Sequence, residues 1–167
     1  PGVRYLDGHR AAGLALVDGL IGVGILRGSA SDLYARGAAA LFFPHGVGHL
    51  LGIDVHDMED LGDRAGYAPG RTRATSPGDR YLRLDRDLLP GMCVTIEPGF
   101  YQIPRILSRP EEIGDLESAL DRDVLARFAD VRGIRIEDDV LVTETGSEVL
   151  SAAVPKSIDD VEHAMLA

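Results

Sequence analysis

An α+β fold is predicted for this chain, and three patterns predict it. Near the start, Ala11, Leu14, Ala15 and Val17 stand at helical spacing. Residues 92–97 and 133–143 alternate apolar and polar side chains in the rhythm of strands. Between them Leu116, Leu120, Val124 and Phe128 recur every four residues, the mark of an amphipathic helix.

Taken in order, the first helix is expected over residues 7–20 and ends in the glycines Gly22, Gly24 and Gly28. Ser31 and Asp32 read as the N-cap of a short helix running through Ala40. Leu41-Phe42-Phe43 is too short to assign by period, and residues 44–57, studded with glycine and histidine, read as extended. Residues 59–79 are loop, interrupted by Gly62, Gly66, Pro69, Gly70, Pro77 and Gly78. Pro90-Gly91 makes a turn into a strand with Met92, Val94 and Ile96 on one face and Cys93, Thr95 and Glu97 on the other; Pro98-Gly99 stops it. A helix over 115–128 follows. In the strand after it Ile134 and Ile136 face one way, Arg135, Glu137 and Asp139 the other. Glu144-Thr145-Gly146-Ser147 is a hairpin-like turn before 148–150, and Ser157 with Asp160 caps a last helix to Leu166. No repeat or linker divides the chain, which reads as one domain over residues 1–167.

The 167 residues carry 17 Lys and Arg against 27 Asp and Glu, a net charge of −10. With 45% hydrophobic and 26% charged residues the composition is globular and excludes general disorder. The negative charge argues against nucleic acid or an anionic membrane as partner. A single cysteine, Cys93, excludes an internal disulfide framework and a cysteine zinc cage, and suggests a reducing, cytoplasmic compartment. No apolar run approaches the roughly 20 residues that span a bilayer. The chain opens at Pro1-Gly2 rather than at Met, as if a start segment had been removed.

Three of the five histidines, His45, His49 and His56, fall within twelve positions. The four-residue step from His45 to His49 matches a helical zinc-protease pair, but Gly46 stands where that motif needs glutamate, and Gly46 and Gly48 disfavour a helix. An extended segment approaching a ligand or metal fits better; loop or core histidines are the plainer alternative. Glu97 and Glu137 each end or interrupt an apolar strand. Solvated strand faces would explain both, yet apolar neighbours favour partial burial, where a carboxylate needs a pair or a cation. One histidine with carboxylates is a hard donor set suited to Mn²⁺ or a similar divalent ion.

Three segments stand in the order of a known family. They are His45-Gly-Val-Gly-His-Leu-Leu-Gly-Ile-Asp-Val-His-Asp57, Pro90-Gly-Met-Cys-Val-Thr-Ile-Glu-Pro-Gly-Phe-Tyr101 and Gly133-Ile-Arg-Ile-Glu-Asp-Asp-Val-Leu-Val-Thr-Glu-Thr-Gly146. The chain resembles the pita-bread metallopeptidases, the family of methionine aminopeptidase, aminopeptidase P and prolidase, and most of all their proline-specific branch. The resemblance runs over essentially the whole chain. It implies an antiparallel sheet flanked by helices, and a site holding two divalent metal ions, Mn²⁺ first, with Co²⁺ or Zn²⁺ as alternatives. By position it makes His49 the histidine ligand, Glu97 a ligand that also shuttles a proton, and Glu137 the carboxylate that bridges both metals. It makes His56 the residue at the peptide carbonyl, and His45 and Arg135 residues of the substrate pocket.

The family site also uses two aspartates upstream of the ligand histidine. Asp7, Asp18 and Asp32 lie in helical or capping contexts and do not match them. The expectation is therefore a C-terminal half of a catalytic domain, with an incomplete metal site, inactive alone, whose parent is a metalloexopeptidase. Such a half should expose a face for the missing N-terminal half or for a second copy, giving a homo-oligomer such as a dimer. Within the branch, Arg83 in Tyr81-Leu-Arg83-Leu-Asp-Arg86 resembles a prolidase arginine that holds a dipeptide carboxylate, a task suited to a guanidinium fork. The segment between Tyr101 and Arg132 is prolidase-like too. An Xaa-Pro dipeptidase is expected, with an Xaa-Pro dipeptide or peptide as substrate; an Xaa-Pro aminopeptidase or a non-catalytic relative is the alternative. Glu59, Asp60, Arg71, Arg73 and Lys156 read as a solvated face.

Overall fold

Helix α1 (Tyr5–Gly22) opens the structure, a computed structural model that describes residues 1–166. Its buried residues are Tyr5, Leu6, His9, Gly13, Val17 and Leu20, a single helical stripe. Of the expected face only Val17 is buried; Ala11, Leu14 and Ala15 point to solvent. The bulky side chains choose the face, and Gly13 lies inward because the Tyr34 ring packs where its Cβ would stand.

The expected single helix to Ala40 is two helices, α2 (Ala30–Ala35) and α3 (Ala38–Phe42), with Ser29 rather than Ser31 at the first N-cap. Gly37, at φ +89°, breaks them, a conformation other residues enter only at a cost. Strand β1 (Leu50–Leu51), a 3₁₀ turn (Glu59–Leu61) and α4 (Asp63–Gly66) follow in a stretch that is otherwise loop.

Strands β2 (Cys93–Ile96) and β3 (Gly99–Tyr101) lie on either side of Glu97-Pro98. Next come α5 (Pro104–Leu107) and α6 (Pro110–Ile113), then a 3₁₀ segment (Gly114–Ala119) and α7 (Arg122–Ala126). The helix expected over 115–128 is thus interrupted. Leu120 is extended and bridges Leu26, and the Asp121 carboxylate accepts from the backbone N–H groups of Asp123 and Val124, restarting the helix. Leu116 and Leu120 are still buried, so the apolar spacing marked the core side correctly but not the helix.

The strand expected over 133–143 also divides, into β4 (Gly133–Arg135) and β5 (Asp138–Val142); β6 (Ser147–Val149) returns through the expected hairpin. One antiparallel sheet has the order β1-β2-β5-β6, and β3 pairs with β4 in a second. Both strand pairs therefore change partners at one level, where the Ile136 N–H reaches the Pro98 carbonyl at 3.3 Å. Glu97 and Glu137 sit at that crossing. Helix α8 (Ile158–Met165) closes the described chain, capped by the Ser157 hydroxyl on the Asp160 N–H as expected.

Two apolar clusters hold the molecule. The larger joins α1–α3 to the α5–α7 region through Val17, Leu26, Phe42, Leu107, Leu116 and Leu125. The smaller packs Tyr5, Leu6, Phe43, Val47, Leu82, Leu84 and Val94 beneath β1 and β2. Each such side chain contributes about 1.5–3 kcal/mol on full burial. Among the described residues no helix is long and apolar enough to cross a membrane.

Candidate active site

Backbone contacts fix the first donor. The Thr95 N–H donates to the His49 carbonyl at 3.0 Å, the His49 N–H donates to the Thr95 hydroxyl at 3.0 Å, and the Glu97 N–H donates to the Val47 carbonyl at 2.7 Å. This closeness needs Gly48, because a Cβ there would collide with the Thr95 carbonyl and the Tyr5 hydroxyl. The buried Tyr5 hydroxyl in turn donates to the Thr95 carbonyl at 2.5 Å, tying α1 to the site. Burial, together with the nearby Glu97 charge, pushes the Tyr5 phenol well above its ordinary range, so it stays a donor.

The His49 ring sets Nδ1 2.9 Å from the Leu50 carbonyl. A carbonyl only accepts, so Nδ1 carries the proton and Nε2 is left free. That Nε2 lies 3.3 Å from Glu97 Oε1, and both side chains are buried. Two acceptors thus face each other, an arrangement satisfied by a proton on Nε2 or by a cation shared between them. The donor set therefore fits a divalent metal ion. Glu97 is further oriented: Oε1 accepts from the Thr95 hydroxyl at 3.1 Å and Oε2 from Arg135 at 2.7 Å. The same guanidinium reaches Glu137 Oε2 at 3.4 Å.

The structure thus brings His49 and Glu97 into direct contact and joins Glu137 to them through Arg135. Glu137 is more open, its side chain 38% exposed against 8% for Glu97. Among the described residues no three His, Cys, Asp or Glu side chains are arranged to hold a metal by themselves. Apolar neighbours suggested partial burial of both glutamates; of the two only Glu97 is buried, because β4, which leads to Glu137, is itself exposed among the described residues.

A cavity of about 400 Å³ opens beside this pair, lined by His45, His49, His56, Glu59, Tyr81 and Arg83 among others. His45 Nδ1 lies 2.8 Å from the Gly46 carbonyl, so it donates there and Nε2 accepts from the Tyr101 hydroxyl at 3.1 Å. The His56 ring stands perpendicular to that of His49 at 4.2 Å between centroids. Its Nδ1 is 3.2 Å from Glu59 Oε2, and Arg83 donates to Glu59 Oε1 at 2.5 Å.

Four participants escaped the sequence reading. Thr95 and Tyr101 act through hydroxyls that alternation and spacing do not single out. Glu59 and Arg73, read as solvated, line the cavity, while Arg71 reaches Asp85 and Asp87. The signal for Glu59 was its three-residue step from His56, visible only once the turn that closes from the Glu59 N–H to the His56 carbonyl is known.

The model of metallopeptidase family M24 matches residues 1–144. The chain belongs to that family. Human Xaa-Pro dipeptidase is 42% identical to this M24 chain over 165 residues, 99% of the chain and 32% of the human protein. Aminopeptidase P from E. coli, solved with the inhibitor Pro-Leu, superposes with a TM-score of 0.66 at 34% identity, covering 99% of this chain and 30% of that one. The zinc-substituted form of the same enzyme, in complex with product, gives the same TM-score of 0.66. The fold is therefore that of the M24 aminopeptidases, a mixture of helices and antiparallel sheet. The chain spans about a third of the length of the relatives it matches.

Proposed function

We propose that the protein carrying this chain is a metal-dependent exopeptidase that cleaves Xaa-Pro bonds, with the dipeptide as its substrate. The facing acceptors His49 Nε2 and Glu97 Oε1, 3.3 Å apart beside a cavity holding Arg83, carry this reading. His49, Glu97 and Glu137 would hold two divalent ions together with donors from outside residues 1–167, the two aspartates that the family resemblance implies. Mn²⁺ is the first choice, Co²⁺ or Zn²⁺ the alternatives. Bound metal supplies Lewis acidity toward the scissile carbonyl and makes water a better nucleophile near neutral pH.

The chain's own groups divide the remaining work. Glu97 takes the proton of the attacking water and returns it to the leaving proline nitrogen. Thr95 and Arg135 hold that carboxylate in line. The His56 imidazole approaches the carbonyl oxygen and supports its developing charge. Arg83 receives the free carboxylate of the dipeptide, and His45, fixed by Tyr101, walls the pocket. Residues 1–167 are then one part of a catalytic domain, inactive alone. Exposed Ile134, Ile136, Val149 and Leu150 support a face that packs against the remainder or against a second copy. Solitary Cys93 supports a reducing compartment, the cytoplasm.

The test is titration calorimetry with MnCl₂ on the intact protein and on the isolated chain, followed by hydrolysis of Gly-Pro and Gly-Pro-Ala. The intact protein should bind two ions and prefer Gly-Pro; the isolated chain should bind weakly and turn over neither. Micromolar two-site binding with Gly-Pro turnover by the isolated chain would refute its incompleteness. A preference for Gly-Pro-Ala would make it an aminopeptidase, and an intact protein idle on both would overturn the peptidase reading.

A further inference from the structure

Arg83 and Glu59 meet at the wall of the cavity from supports of opposite character. Arg83 lies between Leu82 and Leu84, each only 1% exposed and both in the apolar cluster beneath the site. Its carbonyl is also pressed by Gly66, where any side chain would collide with it. The guanidinium therefore stands on a fixed backbone.

Glu59 stands on a strap, residues 52–62, that adds no side chain to either cluster. Ile53 is fully exposed, Val55, Met58 and Leu61 are exposed, and Met58 holds a φ of +59° without being glycine. Its backbone ties to the body through few contacts, among them the Asp57 N–H to the Leu50 carbonyl at 3.1 Å. Such a segment opens more readily than the packed body.

One carboxylate serves two partners here. Glu59 Oε1 accepts from Arg83 at 2.5 Å, and Oε2 lies 3.2 Å from His56 Nδ1. A ligand carboxylate seeking Arg83 needs the same N–H donors and carries the same charge, so it cannot share them with Glu59 without repulsion.

We propose that Glu59 is a resident competitor for the ligand carboxylate, a specificity residue that holds Arg83 and His56 until a carboxylate-bearing ligand displaces it. The inference rests on the reading of Arg83 as carboxylate receptor. Binding then exchanges one carboxylate for another at Arg83 and releases the strap. A ligand with an amide at that position cannot compensate Arg83 for the loss and leaves Glu59 in place. Glu59 acts through Arg83 and His56 and is a positioning residue.

The experiment is calorimetric titration of the intact, metal-loaded protein with L-proline and with L-prolinamide, which differ only in the carboxylate. Glu59→Gln should bind L-proline roughly threefold to fivefold more tightly than the parent, the upper part of the range of a partly exposed charged pair, and prolinamide within about twofold. Glu59→Ala should act in the same direction, free of the hydrogen bonds of glutamine. In an Arg83→Gln background the gain should vanish. If Glu59→Gln leaves L-proline binding unchanged or weaker while Arg83→Gln still costs L-proline selectively, Glu59 is a surface ion pair and the proposal falls, with the reading of Arg83 intact. If Arg83→Gln does not change the ratio of the two ligands, that reading fails and takes the proposal with it.

Discussion

Strands β2 and β4 each alternate apolar with polar residues, and each leads toward a glutamate, Glu97 from one and Glu137 from the other. Their surroundings differ. Val94 and Thr95 in β2 are at most 1% exposed, whereas Ile134 in β4 is 58% exposed. Tyr5, Leu6 and Leu82 lie over β2, whereas all three residues of β4 are exposed among the described residues. The alternation is a property of the strand; burial is a property of what packs on it. In a chain that spans about a third of the length of its relatives, exposed Ile134 and Ile136 beside Glu137 form an apolar face that a further segment could cover.

That contrast can be tested by substitution, beginning where the effect is greatest. Phe42, fully buried and stacked on Phe100, should cost about 3–5 kcal/mol as Phe42→Ala in urea unfolding. Asp85 joins the loop before β2 to the chain start, accepting from Arg4 at 2.5 and 2.6 Å, and is itself buried. Asp85→Asn should cost about 1–3 kcal/mol near neutral pH.

The Arg4 guanidinium, hydrogen-bonded to Asp85, holds its carboxyl below the ordinary 3.8. A lowered folded-state value means that this stabilisation is complete above 3.8 and disappears as pH falls through the lower value. Acid unfolding should accordingly be shallower in Asp85→Asn. Ser157→Ala removes the cap of α8 and should cost about 1 kcal/mol, read as lost helicity by circular dichroism. Ile134→Ser should cost less than about 0.5 kcal/mol in the isolated chain and about 2 kcal/mol in the longer protein, if the remainder covers β4. Equal costs in the two contexts would erase the contrast between the strands.

Much of the fold was legible where local chemistry decides it. Pro90-Gly91, Pro98-Gly99 and the cap at Ser157 mark ends that the structure keeps, because proline, glycine and a capping hydroxyl act on their own neighbours. Residues 115–128 and 133–143 were misjudged because a period cannot see a tertiary bridge such as Leu26 to Leu120, or a strand that changes partners at Ile136. The site divides in the same way. Glycine between histidines signalled a close backbone approach to a ligand or metal; the approach that Gly48 makes is instead to the chain's own strand, against the Thr95 carbonyl. The roles of Thr95 and Tyr101 depend on contacts 46 and 56 residues away in sequence, to His49 and His45, which no local pattern carries. Glu59 was misplaced because a charge in a glycine-rich loop looks the same whether it faces water or a cavity.

Gly48 has a consequence for anyone who would redesign this pocket. The histidine beside it is placed by main-chain registry, not by the shape of surrounding side chains. Cavity residues that do not touch the ring, such as Tyr81, are therefore open to exchange in search of altered selectivity, with the imidazole left undisturbed. A single methyl group at Gly48 would instead drive against the Thr95 carbonyl and lever the ring away from its carboxylate, so drift at this small position disturbs the imidazole directly.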